Sequence, residues 1–95
     1  MKRPWVVALA VVLCAGLAAG CATSNAIQSA RKSLEQAKAA GAEAKAPFEY
    51  YAAGEYLGNA VHEAEEGDGK SADMFTKQSA DYSAKALELS RGGAK

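Results

Sequence analysis

Small residues spaced three and four positions apart dominate the chain after residue 20 and favour an all-α fold. This part holds eighteen alanines against thirteen large apolar or aromatic residues, so its hydrophobic core has to be thin. Ile27, Ala30, Leu34, Ala37, Gly41 and Ala44 follow this spacing, which places them on one side of a helix. Because so little apolar surface can be buried to offset conformational entropy, we expect the chain to gain stability from self-association or from a partner.

Residues that start and stop helices divide this part into three predicted helices, over about 24–42, 47–66 and 71–91. Ser24 or Asn25 can cap the first helix, and Gly41 can end it. Pro47 suits the first turn of the second helix. The glycine-rich stretch 65–70 indicates a tight turn, after which Ser71 can cap the third helix. Short connections favour antiparallel neighbours, so the fold class predicted is a three-helix antiparallel bundle or hairpin.

The second predicted helix carries two neighbouring stripes of apolar and small residues. One contains Tyr50, Gly54, Leu57, Val61 and Ala64, and the other contains Phe48, Tyr51, Gly58 and His62. Two stripes predict two packing partners for this helix. Glycine inside a helix costs up to about 1 kcal/mol relative to alanine, and the two glycines are therefore predicted to permit close approach by another helix.

Residues 1–20 have the pattern of an export signal. Lys2 and Arg3 precede an uncharged apolar run, residues 5–19, and small residues follow it. As a helix this run would be about 22 Å long, too short for the roughly 30 Å of hydrocarbon in a bilayer. We therefore expect a cleaved signal, which leaves a mature domain, residues 21–95, with nine basic and eleven acidic residues.

The signal ends in Leu17-Ala18-Ala19-Gly20-Cys21, which resembles the lipobox of bacterial lipoproteins. The resemblance implies that the Cys21 thiol receives a diacylglyceryl group, with fatty acids such as palmitate, and that this lipid holds the protein on a membrane. Ala22 follows where aspartate favours inner-membrane retention, so we expect the periplasmic face of the outer membrane. Ordinary secretion with cleavage at the same bond is the alternative, because Ala18 and Gly20 also satisfy a small-x-small site.

No combination of residues indicates an enzyme. His62 is the only histidine, and no nucleophile or second metal ligand accompanies it in a recognisable pattern. The segment 67–71 ends in Gly-Lys-Ser but lacks the earlier glycine of a phosphate-binding loop. The mature domain has no cluster of basic residues for nucleic acid. We therefore expect no catalytic residue, no cofactor, no metal and no nucleic-acid partner.

The stretch 40–89 resembles a family of small α-helical envelope domains. The resemblance rests on Ala40-Gly41-Ala42-Glu43, Ala46-Pro47, Ala53, Tyr56-Leu57, Ala60, Glu63-Ala64, Ala72, Ala80, Ala84 and Ala86. Members are commonly predicted lipoproteins with a tetratricopeptide-like helical hairpin, and related copies occur beside domains of the outer-membrane-protein-A type. The resemblance implies the same hairpin here and brings no catalytic residues.

Two functions follow from these patterns. Tyr50, Tyr51 and Tyr56 are close together in the sequence, and aromatic residues are enriched at protein interfaces, which predicts an interaction or scaffold module that docks an envelope protein. The other reading of these three tyrosines is that they fill gaps between alanine-rich helices. The alternative starts from the terminal Lys95 after Gly92-Gly93, which resembles the peptidoglycan attachment site of murein lipoprotein and implies a tether. That family forms one uninterrupted helix, whereas Pro47 and the glycine-rich turn should fold this chain back.

Overall fold

The computed structural model describes residues 23–93, which are helical apart from short turns. Helix α1 covers residues 23–39. The helices that follow are α2 (Ala42–Lys45), α3 (Pro47–Glu65) and α4 (Gly69–Glu88), and a π-helical segment, Leu89–Gly93, continues from α4. The predicted all-α fold is confirmed for this part of the chain. The predicted signal segment, Cys21 and Lys95 lie outside the described residues.

The turn after α1 depends on Gly41, whose φ of 89° lies in the left-handed region that favours glycine. Its N–H donates a 2.9 Å hydrogen bond to the carbonyl of Lys38. The prediction that the first helix ends near Gly41 is confirmed, although the helix stops at residue 39 rather than 42. The single turn α2 follows, which the sequence did not predict, and Pro47 then opens α3 as expected.

The turn between α3 and α4 contains Gly67 at a φ of 84° and Asp68 as the helix cap. The Asp68 carboxylate accepts a 3.0 Å hydrogen bond from the backbone N–H of Ser71. Since an N-cap side chain satisfies the free N–H of the third helical residue, α4 begins at Gly69. The prediction that Ser71 is the cap is wrong, because Ser71 supplies the donor instead.

The end of α4 also differs from the prediction. The α-helix stops at Glu88 rather than near residue 91, and the π-helical segment continues through Gly93. Within that segment the buried Ser90 hydroxyl donates a 2.7 Å hydrogen bond to the carbonyl of Ala86. Gly92 has a φ of 159°, which interrupts the helical geometry.

The core consists of two clusters of small side chains along the length of the helices. The first joins Ile27 and Ala30 of α1 to Leu57 and Ala60 of α3. The second contains Ala37, Ala42, Ala46 and Ala86. Helix α1 therefore starts beside the end of α3 and ends beside the end of α4. The apolar stripe predicted on the first helix is confirmed from Ile27 to Ala37, whereas Ala44 is exposed.

Helix α3 packs differently from its predicted pattern. Its most buried residues are Ala53, Leu57 and Ala60. The predicted second stripe is exposed along its whole length, at Phe48, Tyr51, Gly58 and His62. A Cβ built on Gly54 or on Gly58 would meet no atom within 4 Å. The prediction that these glycines permit close helix contact is therefore wrong.

Small polar side chains fill the seam between α3 and α4. Ser79 and Ser83 are the largest fully buried side chains, and Thr76 is nearly as buried. The Thr76 hydroxyl donates to the carbonyl of Ala72 in its own helix, at 2.6 Å. The Ser79 hydroxyl instead donates across the seam to the carbonyl of Ala53, at 2.8 Å. Serine and alanine side chains thus fill the contact between α3 and α4, and the larger side chains of the hairpin lie at the edges of this seam.

Candidate functional site

The three tyrosines predicted as a partner surface lie in two different environments. Tyr50 and Tyr51 contact each other edge to face, with ring centroids 5.2 Å apart. Tyr50 packs on the alanine cluster around Ala46 and Ala86, whereas Tyr51 is 55% exposed. Tyr56 stacks instead on two rings of α4. The structure therefore brings two of the predicted residues together and places the third in a separate group.

Tyr51 is held in place by a carboxylate from α2. Its hydroxyl donates a 2.9 Å hydrogen bond to Oε2 of Glu43, eight residues earlier in the chain. This hydrogen bond and the negative charge of Glu43 raise the pKa of Tyr51, since both favour the neutral phenol. The short helix α2, which the sequence did not predict, thus positions one exposed aromatic ring.

Four aromatic rings form a continuous row along one edge of the hairpin, and we call this row the aromatic strip. Tyr56 and Tyr82 stack nearly parallel, with centroids 5.7 Å apart and planes inclined by 7°. Phe48 meets Tyr82 edge to face at 5.9 Å, and Phe75 stacks on Tyr56 at 6.1 Å. Rings from α3 and α4 alternate along the strip.

The spacing of the rings along each helix produces the strip. Phe75 and Tyr82 are seven residues apart on α4 and therefore recur after two turns on one side of that helix, whereas Phe48 and Tyr56 are eight apart on α3, about 80° from each other around it. Phe75 and Tyr82 were not predicted as part of a partner surface. The sequence shows their seven-residue spacing, but it does not show which rings of α3 they contact.

Two large apolar side chains besides Tyr51 are exposed on the hairpin. Phe48 is 68% exposed and Met74 is 58% exposed. Single exposed apolar residues are common on proteins, whereas contiguous ones indicate binding surfaces. Phe48 belongs to the aromatic strip and touches its next ring. We therefore take the aromatic strip as the candidate interaction surface.

A cleft of about 580 Å³ lies at the end of the molecule where α1 meets the turn between α3 and α4. Thr23 is one of its lining residues. Thr23, the first described residue, therefore lies at this end of the molecule. The lining residues are Thr23, Ser24, Ile27, Arg31, Val61, Ala64, Glu65, Gly67 and Gly69.

The histidine of the described residues lies apart from the buried serines. His62 is exposed on α3, while Ser79 and Ser83 are buried in the seam. The Ser83 hydroxyl is buried without a hydrogen-bond partner. Within residues 23–93, no three histidine, cysteine or acidic residues are grouped as metal ligands. In that same part of the chain, no helix is long and apolar enough to span a bilayer.

Comparison with known proteins gives no match. No protein-family model matches the chain, and neither does any curated protein or solved structure. The resemblance of residues 40–89 to helical envelope domains therefore stays a prediction.

Proposed function

We propose that this protein is a bacterial lipoprotein of the outer membrane, anchored through a lipid on Cys21 and facing the periplasm. In this proposal residues 1–20 are a cleaved signal, and the mature domain is a three-helix antiparallel bundle that acts as a protein-interaction or scaffold module. The signal pattern and the lipobox resemblance support the anchor. The distribution of side chains in the folded domain supports the interaction module.

One observation carries the interaction role. The largest fully buried side chains are Ser79 and Ser83, while Phe48, Met74 and Tyr51 are each more than half exposed. A folded domain normally buries its aromatic residues, which contribute most to the hydrophobic effect. This one leaves several of them on its surface, where a partner can cover them.

The arrangement of the helices also suits an anchored protein. Thr23 lies beside Gly69, since a Cβ built on Gly69 would be 3.8 Å from the Thr23 hydroxyl oxygen. A lipid on Cys21 would therefore hold the α3–α4 turn near the membrane. The aromatic strip then extends away from the bilayer. One acyl chain binds a membrane only weakly, so stable anchoring needs at least two on the same cysteine.

Fractionation and intact mass spectrometry test the anchor. The full chain is produced in a Gram-negative host, together with Cys21→Ala and the matched control Cys14→Ala. We expect the wild type and Cys14→Ala in the outer-membrane fraction with the mass of an acylated protein that starts at residue 21. We expect Cys21→Ala to carry no lipid and to be absent from the outer-membrane fraction. Wild-type protein free in the periplasm with an unmodified Cys21 thiol would contradict the proposal.

Cross-linking in intact cells tests the interaction role. We expect the wild type to give defined cross-linked species with envelope proteins or with itself. Phe48→Ala should lose some of them, and Tyr51→Ala should lose others if the Tyr50–Tyr51 pair is a second contact. His62→Ala, on the exposed side of α3, is the matched control. Identical cross-linked products from the wild type and all three variants would contradict the assignment of these surfaces as binding sites.

A peptidoglycan tether is the second candidate function. Helix α1 starts at the α3–α4 turn, while the π-helical segment after α4 lies by the Ala37–Ala86 cluster at the opposite end. Twenty helical residues span about 30 Å, so the start of α1 and the π-helical segment lie about that far apart, at opposite ends of the domain. Lysozyme-digested sacculi should then contain a Lys95-linked muropeptide that is missing from Lys95→Arg. Its absence from the wild type would exclude the tether.

A further inference from the structure

We propose that the aromatic strip binds the aromatic strip of a second copy of the same chain, around a two-fold axis parallel to the helices. This inference deepens the proposed function by naming the partner. It rests on that function only for the requirement that both anchors face one membrane. The register of the hairpin, the charges beside the strip and the position of the anchored end each support it.

Contacts between α3 and α4 fix the register of the hairpin. Ser79 is level with Ala53, because its hydroxyl donates to that carbonyl, and antiparallel counting from this pair brings Tyr82 level with Tyr50, two residues after Phe48. Glu49, one residue after Phe48, is therefore level with the part of α4 close to Tyr82. Lys85 is three residues further along α4, about 4.5 Å along the helix axis. Glu49 and Lys85 thus lie at nearly the same height on opposite helices.

The charges next to the strip differ between the two helices. Glu49 and Glu63 are seven residues before and after Tyr56, so both carboxylates lie on the side of α3 that carries this ring. Both glutamates are half-buried. Helix α3 contains no lysine or arginine, whereas the exposed Lys85 follows Tyr82 by three residues on α4. The strip therefore has an acidic border on α3 and a basic residue on the border of α4.

These charges distinguish the two ways in which the strip can pair with itself. With the axis parallel to the helices, α3 of one copy faces α4 of the other, and Glu49 meets Lys85 of the second copy. With the axis across the helices and centred on Tyr56, α3 faces an antiparallel α3, and Glu49 meets Glu63 of the second copy. Opposite charges across an interface favour the first arrangement, and like charges oppose the second.

The position of the anchored end also favours the axis parallel to the helices. An axis parallel to the helices keeps both α3–α4 turns, and therefore both copies of Thr23, at one end of the dimer. Two lipids on Cys21 can then enter one bilayer. The other axis would place the two anchored ends on opposite sides of the dimer, about 30 Å apart for helices of twenty residues. A two-fold dimer through one self-complementary surface is also the commonest assembly of soluble proteins.

Cysteine cross-linking between two differently tagged full-length copies in the same cells tests this geometry. One copy carries Glu49→Cys and the other carries Lys85→Cys. We expect these two copies to form a disulfide-linked pair under mild oxidation. The matched control is Lys77→Cys, which is exposed on α4 but two residues from Phe75 and therefore on the opposite side of that helix, and it should cross-link poorly with Glu49→Cys. No product, or an equal yield when Glu49→Cys is paired with Glu63→Cys, would overturn the parallel dimer.

Side-chain variants provide a second measurement, by sedimentation of the protein purified from membranes in mild detergent. Phe48→Ala removes an exposed ring of the strip, and we expect the dimer to dissociate at least about tenfold more readily. Tyr51→Ala removes an exposed ring of the Tyr50–Tyr51 pair and should have little effect. Lys85→Glu should weaken the dimer, and Glu49→Lys combined with Lys85→Glu should restore it. Equal effects of Phe48→Ala and Tyr51→Ala would contradict the assignment.

Failure of the lipid anchor and failure of the dimer give different results. If Cys21 is not acylated, its free thiol will produce cross-linked chains even without an engineered cysteine, and Cys21→Ala will remove them. The Glu49→Cys and Lys85→Cys pair should still form in a Cys21→Ala background if the strip dimerises. An acylated protein that sediments as a monomer and gives no such pair would refute the dimer while leaving the anchor intact.

Discussion

The hydroxyl of Ser79 on α4 donates a 2.8 Å hydrogen bond to the backbone carbonyl of Ala53 on α3, and both residues are completely buried. This contact shows how a hairpin so rich in alanine holds its two helices in register. A larger residue at either position would separate the backbones, whereas serine fits and supplies a polar link. The aromatic strip depends on this register, because its rings alternate between the two helices.

Ser79→Ala and Ser83→Ala should affect stability differently. Both remove a fully buried hydroxyl from α4, and both gain the same helix propensity, but only Ser79 has a hydrogen-bond partner. An intramolecular hydrogen bond stabilises by about 1 kcal/mol, whereas an unpaired buried hydroxyl contributes nothing favourable. We expect the free energy of unfolding of Ser79→Ala to be about 1 kcal/mol below that of Ser83→Ala, measured by urea unfolding and circular dichroism. Equal values would show that the inter-helix bond has no net effect.

Gly58→Ala should stabilise the protein. Gly58 is exposed inside α3, and a Cβ there would meet no atom within 4 Å. Alanine is favoured over glycine by up to about 1 kcal/mol in a helix interior, so the free energy of unfolding should rise by roughly that amount. Gly67→Ala is the control, since the φ of 84° at this position disfavours a side chain. Destabilisation by both substitutions would show that Gly58 has a packing role.

The helical organisation was largely predictable because local chemistry fixes it. Gly41 and Gly67 have the left-handed backbone that few other residues adopt, and Pro47 opens a helix. The errors occurred where two residues compete for one role. Asp68 and Ser71 can each cap a helix, and only the folded turn decides between them. Helix α2 is a single turn, too short for a periodic pattern to indicate it.

The candidate site was less predictable because it depends on which helix sides meet. Small residues occur on several sides of α3, so the sequence pattern did not distinguish the buried Ala53 and Ala60 from the exposed Gly58. Tyr50, Tyr51 and Tyr56 were grouped because they are close in sequence. Their surroundings depend on α2 and α4, which contact α3 at different residues. Only tertiary contacts bring Tyr82 to Tyr56.

The Asp68 cap should make stability depend on acidic pH. The hydrogen bond from the Ser71 backbone N–H holds the pKa of Asp68 below its usual value of 3.8. The cap therefore stabilises the fold fully above that value, and its contribution is lost as the pH falls through the lower pKa of the folded state. Asp68→Asn keeps a capping side chain but cannot titrate, so it should lose less stability than the wild type between pH 5 and about pH 2. Identical acid unfolding of the two proteins would show that the cap does not contribute.

The contact between Tyr51 and Glu43 should be detectable at alkaline pH. The carboxylate accepts the phenol proton in a hydrogen bond and opposes formation of a second negative charge, which raises the pKa of Tyr51. Its contribution to stability is therefore present below the usual tyrosine pKa and is lost as the pH rises through the raised value of the folded state. Glu43→Gln removes the charge and should move the ionisation of Tyr51 to lower pH, as measured by tyrosinate absorbance. Subtracting the titration of Tyr51→Phe isolates this one ring from Tyr50, Tyr56 and Tyr82. An unchanged Tyr51 titration in Glu43→Gln would show that α2 does not hold the ring in solution.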